Sequence, residues 1–273
     1  MNKATFGVAI LAALGFALVG CGDDAVDGTG GTGGAGATGG TGGSGGSDGM
    51  AMVRVAHLAP EVPSAGNTGV DILLDGAASG IENLQFGNST GYVSLPAGDY
   101  VFGVAATGTT TSLLDVPATL PAGGIFTVVA YRDSAVAVPV NVLLFDESLM
   151  GLAAGNGRVL VGHGADAAAV DPVDIVTDAS AVVVDELAFG ATAGPLDLAE
   201  GTVNIGFDVD TAASGGGTDA NDDLDVGPLA APVTAGVVTL LVAVDTDTSA
   251  ELVPAIYALL PTTEGAITTL SAP

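Results

Sequence analysis

The chain has 273 residues, 48% of them apolar and only 4% aromatic, with 31 acidic side chains against four basic ones and a formal net charge of −27. So few cations exclude nucleic-acid binding, which needs clustered Lys and Arg against phosphates, and docking on anionic lipid headgroups. Lys3 is the only lysine, which leaves the body of the chain without Schiff-base or P-loop chemistry.

In chain order, the first element is Lys3 followed by about sixteen mostly apolar residues, Ala4 to Val19, ending in small side chains. This is the layout of a secretory signal peptide over residues 1–20; a transmembrane anchor needs ~20 apolar residues. The run Leu18-Val19-Gly20-Cys21 closes it and resembles the lipobox of bacterial lipoproteins. That resemblance implies acylation of the Cys21 thiol with palmitate-type chains and cleavage just before it. Cys21 is the only cysteine, so it has no intramolecular disulfide partner, and no neighbouring His or Arg would make it a reactive thiolate. Gly22 rather than Asp follows it, which favours the outer over the inner membrane of a cell envelope. Loss of Lys3 leaves Arg54, Arg132 and Arg158 against 31 carboxylates, a net charge of −28. Such a charge suits a soluble, self-repelling and monomeric exported body.

Residues 21–51 form the second element. Half of residues 22–49 are glycine, in Gly-Gly-Thr, Gly-Gly-Ala and Gly-Gly-Ser repeats. The segment cannot bury enough apolar surface to offset its backbone entropy, so it is expected to be a flexible tether. Its root-mean-square reach is roughly 25–30 Å.

From Met52 onward, short runs of Val, Ile, Leu and Thr are punctuated by Gly, Pro, Asn and Asp, the pattern of an all-β protein. Val70, Ile72 and Leu74 alternate with Asp71, Leu73 and Asp75, as a half-buried strand requires. Phe126–Ala130, Val140–Phe145 and Val237–Val244 are dense, mostly apolar runs, which predicts central strands covered on both faces. The body also repeats. Val70-Asp71-Ile72-Leu73-Leu74-Asp75 returns as Val173-Asp174-Ile175-Val176-Thr177-Asp178, and Leu84-Gln85-Phe86-Gly87 as Leu187-Ala188-Phe189-Gly190, both at an offset of 103. A period near 100 residues fits a sandwich of immunoglobulin size. The expectation is two tandem immunoglobulin-like β-sandwich repeats, 52–152 and 157–264, and a C-terminal tail, 265–273. One larger intertwined sandwich, with terminal strands exchanged, is the alternative.

These marks carry a resemblance. Val53-Arg54-Val55-Ala56-His57-Leu58-Ala59-Pro60, Pro63 and the Val70–Gly76 run resemble the opening of the bacterial family called domain of unknown function 4397. Leu84-Gln85-Phe86-Gly87, Leu95-Pro96-Ala97-Gly98-Asp99-Tyr100 and Leu120-Pro121-Ala122-Gly123 extend it. The resemblance implies an exported protein, often a lipoprotein, carrying the unit twice; it implies no activity. The second copy departs from the first, with Asp166 in the place of Pro60 and Val203 in that of Tyr100.

Residues able to carry chemistry are few. His57 and His163 end the first strand of each repeat and recur, which suits pinning of the strand exit to a carbonyl better than catalysis or metal ligation. No Gly-x-Ser-x-Gly elbow occurs in the body, and the glycine runs at 30–46 neither follow a strand nor open a helix. No catalytic residue and no bound cofactor is expected. The insertion in the second repeat places Asp219, Asn221, Asp223 and Asp225 at alternate positions, the spacing by which calcium loops present oxygens. Leu224 and Ala230 break the rest of the calcium-loop pattern. The functional expectation is a non-enzymatic envelope protein held to the membrane by its lipid, binding an envelope or extracellular protein or a polysaccharide. The alternative is calcium-dependent carbohydrate or protein binding in adhesion.

Overall fold

The computed structural model describes residues 49–64, 66–166, 172–177, 181–209, 226–246 and 254–270. These hold 19 strands and no helix, so the chain is all-β. In the first half, β1 (Met50–Leu58) runs parallel to β8 (Ile125–Tyr131), and β8 pairs antiparallel with β9 (Asn141–Asp146). The other edge of β1 is taken in turn by β5 (Val93–Pro96) and β4 (Asn88–Ser89). A second sheet has the order β3 (Ala77–Leu84), β2 (Val70–Leu74), β6 (Gly98–Ala106), β7 (Ser112–Leu120).

The second half follows the same plan. There β10 (Asn156–Gly164) runs parallel to β16 (Val238–Asp245), with β13 (Thr192–Ala199) and β17 (Pro254–Leu259) outside them. The accompanying sheet has the order β12 (Ala181–Leu187), β11 (Val173–Thr177), β14 (Gly201–Val209), β15 (Val226–Val233). Thus β2 and β11 reproduce the 103-residue offset.

Side-chain alternation decides which face each strand buries. On β7, Leu114, Val116 and Ala118 pack inward while Asp115, Pro117 and Thr119 stay exposed, as a strand covered on one face requires. Val53 and Val55 of β1, Phe126 and Val128 of β8, Ile72, Phe102 and Val104 form one apolar layer between the two sheets of the first half. Val159, Val161, Ile175, Ile205, Phe207, Leu241 and Ile256 form its counterpart in the second.

A third apolar layer lies between the halves. Ala56, Leu58, Val129, Tyr131, Leu143 and Phe145 point away from the first core and meet Leu160, Leu240, Val242, Val244, Tyr257 and Leu259. The sheets of β1 and β10 are therefore covered on both faces, which is why β8 and β16 read as mostly apolar runs, interrupted at Thr127 and at Thr239 and Asp245. Each apolar side chain of the seam contributes roughly 1.5–3 kcal/mol when fully buried, so this seam is a core in its own right. Its geometry explains two glycines. A Cβ on Gly162 would stand 2.7 Å from the Phe145 ring and 2.8 Å from Leu143, and one on Gly164 2.9 Å from the Tyr131 Cβ. The first copy has Ala56 and Leu58 at these positions; the second gives the space to its neighbour's side chains.

Two boundaries move. Met50 and Ala51 belong to β1 rather than to the linker, because they pair with Pro96 and Leu95. Residues 265–270 are a strap rather than a tail. β18 (Gly265–Ala266) pairs with β4 of the first half, Ile267 is buried in the seam, and β19 (Thr268–Thr269) pairs with β17 of the second. The chain end thereby ties the two halves together.

Candidate functional site

Cys21 lies outside the described residues, as do Asp219, Asn221, Asp223 and Asp225. Asp208, on the strand that leads into that insertion, is buried and stands opposite Asp174 in the ladder between β14 and β11. Among the described residues, no three or more His, Cys, Asp or Glu are grouped to hold a metal ion.

His57 is 1% exposed, and its Nε2 is 2.9 Å from the Thr68 carbonyl and 3.3 Å from that of Val62. Its Nδ1 accepts the Ala59 N–H at 3.4 Å, which fixes the Nε2–H tautomer. The imidazole thus holds the chain as it leaves β1 and turns toward β2. Burial lowers its pKa below 6.5, opposed by the hydrogen bonds to the Val62 and Thr68 carbonyls. His57 and His163 share further contacts. Gly87 and Gly190 donate their N–H to the two histidine carbonyls at 2.8 and 2.7 Å. The ring of His57 meets Phe86 edge-on, and Phe86 meets Tyr257 of the other half. His163 meets Phe189, and Phe189 meets Tyr131 of the other half, at 5.4 Å and 87°. Each histidine is the inner end of an aromatic chain that crosses the seam.

The recurring aspartates pin bulges. Glu82 and Asn83 together oppose Asp71, and Asp185 with Glu186 oppose Asp174, the two-against-one count of a β-bulge. Asp71 accepts the Asn83 N–H at 2.7 Å and Asp174 the Glu186 N–H at 2.7 Å. Asn83 and Glu186 have φ of 54° and 49°, a conformation disfavoured for a side-chain-bearing residue and held here by the carboxylate. The Asn83 N–H, aided by that of Gly108, keeps the Asp71 carboxyl below the usual range.

Sequence reasoning missed the placement of the cations. All three arginines stand where the halves join. Arg54, fully buried on β1, donates through Nε to Thr127 Oγ1 at 3.0 Å, through Nη1 to the Leu260 carbonyl of the second half, and pairs with Glu147 at 3.4 Å. The Tyr92 ring lies 4.8 Å from its guanidinium, and the Tyr92 hydroxyl donates to Glu147 at 2.7 Å. Burial, then the Glu147 charge, pushes the Tyr92 hydroxyl pKa well up. Arg132 donates to Asp166 at 3.0 Å across the seam. Arg158 grips Asp197 with two bonds of 2.8 and 2.9 Å and reaches the Ser148 and Met150 carbonyls in the connection between β9 and β10. Their scarcity, three arginines against 31 acids, is the one signal in the sequence that could have drawn attention to them.

Residues 51–173 match the model of a family described as Domain of unknown function (DUF4397). The match takes in the first half, β10 and the first residue of β11. No curated protein matches the chain.

Proposed function

We propose that this is a lipid-anchored protein of a bacterial cell envelope, presenting two immunoglobulin-like β-sandwich halves on a flexible tether in a non-enzymatic structural or binding role. The observation that carries this reading is the single cysteine at the end of Leu18-Val19-Gly20-Cys21, followed at once by a half-glycine segment. An acyl anchor needs a spacer if the folded body is to stand clear of the membrane, and a glycine-rich coil supplies one. A structural or binding role is supported by the way the recurring polar groups are used: His57, Asp71 and Asp174 hold backbone, and the arginines hold the junction. The lipid directs the protein to the outer membrane, where it works as a monomer on an envelope or extracellular polymer or protein.

Cys21→Ser tests this reading. The variant should stay unacylated and uncut before residue 21; a variant that is still acylated or cut before residue 21 contradicts it. Calcium-dependent adhesion through Asp219, Asn221, Asp223 and Asp225 is the second reading. A calcium-selective rise in melting temperature, lost in Asp223→Ala with Asp225→Ala, would replace the first by the second.

A further inference from the structure

A shallow groove of about 570 Å³, lined by polar and apolar groups together, runs along the first half where β3, β4, the approach to β5 and the C-terminal strap meet. Its volume falls in the roughly 300–1,000 Å³ range of small-ligand sites. We propose that this groove binds a neutral glycan segment, with Tyr92 as the stacking platform and the side chains of Asn83, Gln85, Asn88, Glu82 and Glu264 reading hydroxyl groups. The proposal deepens the envelope-binding reading and rests on it.

The platform is rigid before any ligand arrives. The Tyr92 hydroxyl is held by Glu147, and the guanidinium of Arg54 lies over its ring, so a sugar face meeting the ring orders little further. A hydroxyl-bearing ring with an apolar C–H face is the natural partner of a fixed aromatic surface beside polar groups. The amides are pre-set too. Gln85 donates to Asn83 Oδ1 at 2.5 Å, Thr68 donates to Gln85 Oε1 at 3.1 Å, and the Asn83 backbone is fixed by Asp71. With that oxygen so engaged, the Asn83 amide has its NH2 group to offer. Glu264 comes from the strap, and its carboxylate sits where a Cβ on Gly91 would be 3.2 Å away. Glycine at 91 therefore lets an acceptor from the second half close over a groove of the first.

Charge selects the ligand class. The groove has two carboxylates and no cation among its lining residues, in a chain of net charge −27. An anionic ligand is repelled, and an apolar one strips water from amides without replacing its hydrogen bonds. A hydroxyl both donates and accepts, so it satisfies carboxylates and amides alike.

The test uses the full chain extracted in detergent, titrated with cello-, malto-, chito- and mannotetraose and followed by calorimetry. At least one should bind in a salt-insensitive manner. Asn88→Ala and Tyr92→Ala should each weaken it at least tenfold, and Tyr92→Phe, which keeps the ring, should weaken it less. Asn88→Ala guards against misfolding of the Tyr92 variants, provided its melting temperature matches that of the parent. Absence of binding at millimolar sugar, an affinity unchanged in Asn88→Ala, or binding of oligolysine alone that fades with salt would each overturn the proposal. Such a failure with Cys21 acylated leaves the envelope reading in place; sugar binding with Cys21 unmodified does the reverse.

Discussion

Asp166 accepts a hydrogen bond from Arg132 at 3.0 Å and the Ser134 N–H at 2.6 Å, joining the end of β10 to the chain leaving β8 in the other half. It stands where the first copy has Pro60. The departure from the repeat is thus a cross-seam contact, as are Gly162 and Gly164. Asp166→Asn should lower stability by about 1–2 kcal/mol, since a hydrogen bond to a charged group is worth roughly 1.5–3 kcal/mol. The exposed Asp115→Asn, which only relieves repulsion in an acidic chain, should be neutral or slightly stabilising. Denaturant titration of both variants checks the contrast.

The apolar seam between the halves predicts that the body unfolds as one unit. Residues 49–152 alone would expose Ala56, Leu58, Val129, Tyr131, Leu143 and Phe145 together, and a contiguous apolar patch of that kind drives association. The fragment should self-associate in ultracentrifugation, whereas residues 49–273 stay monomeric and unfold in a single calorimetric transition. Gly164→Ala, which forces a methyl onto Tyr131, should lower that transition by about 1–3 kcal/mol.

Arg54 and Glu147 are 0% and 2% exposed at their side chains. Removing one partner of such a pair leaves a buried charge and costs about 3–5 kcal/mol, whereas replacing both by apolar groups costs far less. The second half shows the apolar solution, with Leu160 and Leu240 at the positions of Arg54 and Thr127. Arg54→Met should therefore be strongly destabilising, and Arg54→Met with Glu147→Leu should recover much of the loss in a double-mutant cycle.

The folded-state pKa of His57 lies below its unfolded value of 6.5. As the pH falls, the unfolded chain takes up that proton first, so the contribution of His57 is complete above pH 6.5. It is lost as the pH drops from there toward the folded-state value. Between pH 7 and 5 the wild-type stability should fall more steeply than that of His57→Gln, as read from denaturation midpoints.

Much of the strand plan was legible because period and burial agree: the dense apolar runs of β8 and β16 announced central strands covered on both faces, whereas β9, read in the same way, is the edge strand beside β8. The role of His57 was legible because it recurs before a turn that needs a donor. The seam was not, because an apolar strand face does not say which sheet it meets. Gly162, Gly164 and Asp166 look like drift until Phe145, Tyr131 and Arg132 are placed against them. The strap was read as a tail because Gly265 to Leu270 is too short and too polar to signal strands on its own. The Asp71 and Asp174 repeat was visible, but its partners were not, since a bulge shows only in the register of two strands.

The anchoring of this body to a membrane is tested most directly by the mass of its N-terminal peptide, taken from the membrane fraction of cells making the full chain. The account predicts a peptide that begins at Cys21 and carries acyl chains on that residue. A peptide with an unmodified Cys21, or one that still contains residues 1–20, would contradict it.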